Sequence, residues 1–260
     1  MMLRRVIEHV KNQQWTAVAI DFVIVVIGVF VGIQVSNWNQ ARVTEQQTAT
    51  FTKHLKQDLR DEDWGYQMMI EYGRDVLAHA DIAVNALEGT VPVSDEALLV
   101  SAYRATQYKN RLRRRATYDE LISTGTIGLI RDQALRDTAM RNYNSPTLDV
   151  MAQEGLSSRY RQAFRMTLPN ATQRVLSKNC GDHFLAVGDF KGIDSILDYP
   201  CTSGLPEAAV RDAANALRAN PDMVPFLRLR IADIETRLAD LTGNNKLIME
   251  GLRAIAKEKP

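Results

Sequence analysis

Residues 15–35 read WTAVAIDFVIVVIGVFVGIQV, an apolar run interrupted by one acid, Asp21, and one amide, Gln34. A helix that crosses the hydrocarbon core of a bilayer needs about 20 mostly apolar residues, and this run has 21. It exceeds the roughly 7–15 residues of a secretory h-region, and no small-x-small cleavage site follows it. Trp15 and Trp38 bracket it, as aromatic rings do at the two headgroup layers. The expectation is a membrane anchor that stays attached to the chain.

Helical spacing puts Ala17, Asp21, Gly28, Gly32 and Ser36 on one stripe. In lipid no hydrophobic force draws helices together, so small residues that admit close backbone approach, and polar groups seeking partners, do that work. Asp21 is costly inside a membrane unless it is protonated or paired. The stripe is therefore expected to be a helix–helix interface, with a second copy or another membrane protein as partner. The bland alternative leaves Asp21 near the headgroups and gives the glycines no special role.

Orientation follows from the flanks. Arg4, Arg5 and Lys11 precede the run against Glu8 alone, whereas Arg42 is the first base after it. The positive-inside rule then places residues 1–14 in the cytoplasm and residues 36–260 outside it. Residues 1–39 hold three Lys/Arg and two Asp/Glu, leaving 29 of each sign beyond. A balanced exported part argues against a nucleic-acid partner, since polyanion binders carry a basic excess.

Beyond the anchor the pattern is helical. From Arg42 to Leu87 a stripe recurs at steps of four and three through Leu55, Leu59, Tyr66, Met69, Val76, Ala80, Ala83 and Leu87. Glu62 and Gly73 complete its register, and Glu62 is expected to pair across the bundle with Arg228 or Arg230. Ser94 reads as the cap of a second helix, and Thr117 to Glu120 has capping-box spacing before a stop at Gly125. Two further helices are expected over 132–143 and 148–167, then a loop-rich insertion over about 169–206. After a helix at 206–219, a heptad runs from Leu227 through Ile231, Ile234, Leu238, Leu241, Asn245, Ile248 and Leu252 to Ile255. Asn245 would fix register there, or Gly243 would break the helix. No strand alternation of useful length occurs. The expected fold class is all-α, one transmembrane helix followed by an exported bundle whose two longest helices pack antiparallel as a stalk.

Three segments carry a resemblance: Asp21 to Asn39 with its Gln34-Val-Ser-Asn37-Trp38-Asn39 exit, Phe51 to Glu62, and Tyr118 to Ile130. Together they resemble a family of bacterial single-span membrane proteins catalogued only as a domain of unknown function. That family usually has Glu where this chain has Asp21, and Ala where it has Gly32. The resemblance implies a bacterial inner-membrane protein with a periplasmic bulk, and it supplies no activity.

Chemistry-bearing motifs are sparse. Cys180 and Cys201 suit a disulfide in an oxidising compartment. The alternative is a metal held by Cys180, His183 and Cys201, and free thiols are a third reading. His54, Asp58 and Asp61 share a helical face and form either a metal set or a solvated stripe. Arg111 to Arg115 would meet anionic headgroups or an acidic partner, or else form a solvated turn. No phosphate loop, nucleophile elbow or zinc-protease helix occurs, so no catalytic residue and no cofactor is expected. The function expected is a membrane-anchored extracytoplasmic interaction or scaffold protein. The alternative is an exported ligand-binding or sensor module that signals to a membrane partner.

Overall fold

The computed structural model describes Ile7 and residues 15–258. The expected cytoplasmic tail, with Arg4, Arg5, Glu8 and Lys11, lies outside the described residues apart from Ile7. The described residues form ten α-helices and no strand. The chain divides into two compact units, residues 1–53 and 54–260, and helix α1 (Trp15–Glu88) contributes to both.

In the first unit α1 carries the apolar run. An 18-residue window there has mean hydropathy 2.6 and no buried residue, and this is the one described helix long and apolar enough to cross a membrane. Trp15 and Trp38 are both exposed.

In the second unit α1 supplies the spine of an all-α bundle. Leu55, Leu59, Tyr66, Met69, Val76, Ala80 and Ala83 are all buried, the stripe read from the sequence. Following it come α2 (Asp95–Ala105), α3 (Ala116–Ser123), α4 (Gln133–Asn144), α5 (Thr147–Ser157), α6 (Arg159–Thr167), α7 (Asn170–Cys180), α8 (Glu207–Ala219), α9 (Met223–Ala239) and α10 (Lys246–Lys257). Ser94 caps α2 by accepting from the Ala97 N–H at 3.1 Å, and Asp132 caps α4 through the Leu135 N–H. Each satisfies a backbone donor that the first turn leaves unpaired.

The C-terminal helices run antiparallel to the later part of α1. Arg228 at the start of α9 bonds Glu88 at the end of α1, with Nε donating to Oε1 at 3.0 Å. A Cβ at Gly73 would come within 3.1 Å of Leu238 and 2.7 Å of Met151, so α5 and α9 pack closely on this glycine and a larger residue would make those side-chain ends shift. Beyond α10, Arg60 Nη2 donates to the Glu258 carbonyl at 2.9 Å, and Lys56 pairs with the Glu258 carboxylate.

Four sequence expectations are corrected. The heptad from Leu227 to Ile255 is not one unbroken helix: a π-turn at Asp240–Asn244, which holds Gly243, parts α9 from α10, the alternative that glycine offered. Asn245 follows it and donates to Thr147 Oγ1 at 2.9 Å, so it ties the break to the start of α5. The helix expected over 148–167 divides at Ser158, whose ψ of 127° leaves the helical region. The insertion expected over 169–206 contains α7, so the loop proper is 181–206. Finally, α3 begins at Ala116 with no side-chain cap, so Thr117 is inside the helix rather than capping it. Its stop is as read, with Gly125 at φ +69° where a Cβ would be strained.

Candidate functional site

In the first unit the stripe residues Asp21, Gly28, Gly32 and Ser36 are all exposed on α1. A Cβ placed on Gly28 or Gly32 would meet nothing within 4 Å, so that face is open along its length. Among the described residues nothing packs against it.

The second unit is organised around one buried carboxylate. Glu62 is 0 % exposed and accepts from Arg111 Nη2 at 3.0 Å, Arg113 Nε at 2.8 Å, the Arg114 N–H at 2.9 Å and Asn142 Nδ2 at 3.4 Å. Burial pushes its pKa up, but the two guanidinium groups and the Arg114 N–H outweigh that and hold it below the usual range. This corrects the expected partners. Arg228 is spent on Glu88, and Arg230 donates to the Gln107 carbonyl.

The same contacts correct the readings of the Arg111 to Arg115 run for Arg111 and Arg113 alone, since Arg114 and Arg115 stay about half exposed. Residues 107–115 form a non-helical strap across α1 whose side chains alternate in exposure over 110–114. Arg111 and Arg113 point inward, 11 % and 8 % exposed. Leu112 points out, 88 % exposed. Period-two alternation was the available signal, and it is easily lost among three consecutive arginines.

Beside the strap lies the loop after α7. Cys180 and Cys201 are joined in a disulfide with Cα atoms 5.5 Å apart. His183 stacks on Tyr199 with ring centroids 3.8 Å apart, and its N–H donates to the Ile196 carbonyl. Further ties seat the loop. Asp182 accepts from Tyr72 Oη at 2.9 Å and pairs with Lys109 at 2.6 Å, while Trp64 Nε1 donates to the Asp189 carbonyl at 3.0 Å. Ser203 Oγ donates to Glu96 at 2.8 Å.

Buried Arg104 reaches into this loop. Its Nη2 donates to the Tyr199 carbonyl at 2.9 Å, and its guanidinium lies 4.6 Å from that ring's centroid. Its Nη1 sits 3.3 Å from His79 Nε2. Burial, then the Arg104 charge, push the His79 pKa down to about 4, so the ring is neutral and accepts from Arg104. One turn earlier, Asp75 is pushed up to about 7, first by burial and then by Asp198, Glu71 and Asp194.

The other candidate ligands are occupied otherwise. Asp58 accepts from the Thr117 N–H, Asp61 from Gln57, and His54 is exposed. Among the described residues no group of three or more His, Cys, Asp or Glu is disposed to hold a metal.

Two surface grooves and one internal gap border α1 among the described residues. A groove of about 300 Å³ lies between the strap and the disulfide loop, with Trp64 and Met68 of α1 among its lining. A second of about 310 Å³ has mixed charge, from Glu71 and Asp194 against Arg74 and Arg253. Between α1, α5 and α9, the gap beside Gly73 measures only about 10 Å³, room for one water at most.

Residues 21–144 match the model of a family of unknown function, DUF6090. All three segments that carry the resemblance fall within the match. So do Glu62 and each of its partners, whereas the disulfide loop lies beyond it. The comparisons with curated proteins and with solved structures give no match.

Proposed function

We propose that this chain is a membrane-anchored protein that works by binding other proteins, with its helical bundle held outside the cytoplasm by the apolar run of α1. The observation that carries the reading is the 18-residue apolar window of α1, mean hydropathy 2.6, with none of it covered by the other described residues. Such a face needs lipid or another helix around it. The basic flank at Arg4, Arg5 and Lys11 supports a cytoplasmic N-terminus, and the resemblance to bacterial single-span proteins supports an inner-membrane, periplasmic setting.

Self-association through the anchor follows from the open stripe of Gly28, Gly32 and Ser36 in line with Asp21. The bundle's role is scaffolding. Its buried carboxylate Glu62 is spent on holding segments together, and the gap beside Gly73 has room for one water at most. The second reading, a ligand-binding or sensor module, is favoured by the groove beside Trp64.

The test is a membrane two-hybrid assay of the span. Wild type should self-associate, and Gly28→Ile with Gly32→Ile, or Asp21→Ala, should each weaken the signal severalfold. Equal signals from all three would remove the homo-oligomer and leave a different membrane protein as the partner of Asp21.

A further inference from the structure

We infer that the groove between the 107–115 strap and the disulfide-held loop is a docking site for an extended segment of a partner protein, one with apolar side chains beside Asp or Glu. This rests on the interaction reading above and names the surface it would use.

The strap inverts the usual pattern. It buries Arg111 and Arg113 and sends Leu112 into solvent, 88 % exposed. Opposite, on the loop, Phe184 is 94 % exposed. An exposed leucine is ordinary by itself. Two such side chains at the lips of one groove form a contiguous apolar patch, which marks an interaction surface. Between them the groove floor is Trp64 and Met68 of α1, and Leu185 of the loop lines it.

Shape decides the class of occupant. A small molecule filling about 300 Å³ would touch Leu112 and Phe184 only on their groove sides and leave most of both side chains in water. A polypeptide laid along the groove covers both lips and fills the space between them. Charge decides its composition. The lining includes Lys109, Arg111 and Arg114 and no carboxylate. Arg114 is half exposed, and its ion pair to Asp61 is long at 3.8 Å. An acidic residue beside the docked apolar side chains would reach Arg114 and strengthen association at the rim.

The wall depends on the disulfide. Phe184 and Leu185 lie within the segment that Cys180 and Cys201 close. Docking is therefore expected to weaken when that bond is cut.

The test uses the full chain in the membranes of the cells that make it, with p-benzoylphenylalanine placed at Phe184 and, separately, at Ile33 of the anchor. Ultraviolet light should give one discrete protein adduct from the Phe184 probe. Its crosslinked peptide, sequenced by mass spectrometry, should hold an apolar residue within three positions of Asp or Glu. Leu112→Asp with Arg114→Glu should cut adduct yield at least tenfold, as should reduction of the disulfide, whereas Arg174→Glu should leave it unchanged. Both strap positions face solvent, and unchanged protease resistance will show that the variant is folded. An adduct to lipid, to a second copy of this chain or to a peptide without acids overturns the docking proposal, as does no adduct or one indifferent to the strap variant. If the Phe184 probe fails while the Ile33 probe captures protein, the groove proposal alone falls. If neither captures protein, the interaction reading falls with it.

Discussion

Glu62 and Arg113 form a buried ion pair, with Nε donating to Oε2 at 2.8 Å and the two side chains 0 % and 8 % exposed. The pair links the centre of α1 to a strap with no regular structure of its own. Arg113 also donates through Nη2 to the Asn142 carbonyl at 2.9 Å, which carries the link to the end of α4.

Removing one partner of a buried pair strands the other charge, at a cost of about 3–5 kcal/mol. Glu62→Leu should therefore lose roughly that much stability in urea unfolding followed by tryptophan fluorescence, because Arg111 and Arg113 would both be left facing it. Replacing all three by apolar residues should recover part of the loss. The pH dependence has a definite sign. The folded pKa of Glu62 lies below its ordinary 4.5, so its contribution is complete above that value and is lost as pH falls through the folded pKa. A Glu62→Leu protein no less stable than wild type would show that the strap is held by other contacts.

Asp75 and His79 should bend the pH–stability curve in opposite directions. Asp75 rises from 3.8 to about 7. The stability it contributes is present below 3.8 and is lost as pH rises through 7. His79 falls from 6.5 to about 4, so its contribution is present above 6.5 and is lost as pH falls through 4. Asp75→Asn should raise the melting temperature at pH 8, by a gain on the order of 1–2 kcal/mol, and flatten the curve between pH 4 and 7. His79→Gln should flatten the acid limb instead. Melting curves across pH 4–8 check both, and parallel curves for wild type and variants would contradict the assignment.

The disulfide closes a segment with a sequence separation of 21, worth about 3 kcal/mol in the chain-entropy model. Cys180→Ser with Cys201→Ser should lower stability by about 2–4 kcal/mol while helical circular dichroism stays the same. Protease cleavage should appear first between residues 182 and 200. The Lys109–Asp182 and Trp64–Asp189 contacts should slow that cleavage without preventing it. Loss of helical signal would mean that the bond supports the bundle itself.

Much of this fold is written locally. The Leu55 to Ala83 stripe follows from helical period, and the Ser94 and Asp132 caps from residue type before an apolar run. What the sequence hid depends on segments that lack a helical period. Glu62 is legible as a charge in an apolar seam, but helical periodicity points to partners on a facing helix, at Arg228 and Arg230. They come instead from a strap whose course is set by tertiary contacts. Helix α7 was hidden because it buries only Thr172, Leu176 and Cys180, too short a stripe to register. The break at Ser158 carries neither glycine nor proline to announce it. The groove was equally illegible, since it joins residues near position 64, the strap and a loop more than 100 positions later. The open anchor face was legible throughout, because a stripe of small residues in an apolar helix needs no tertiary information.

The account stands on the bundle being outside the cytoplasm, tethered by the apolar run of α1. Alkaline phosphatase and green fluorescent protein, fused separately to the C-terminal end of the full chain, test this most directly. The account predicts an active phosphatase fusion and a dark fluorescent fusion, because that phosphatase needs an oxidising compartment to form its disulfides and the fluorescent protein folds poorly after export in unfolded form. A bright fluorescent fusion with inactive phosphatase would put residues 36–260 in the cytoplasm and contradict it.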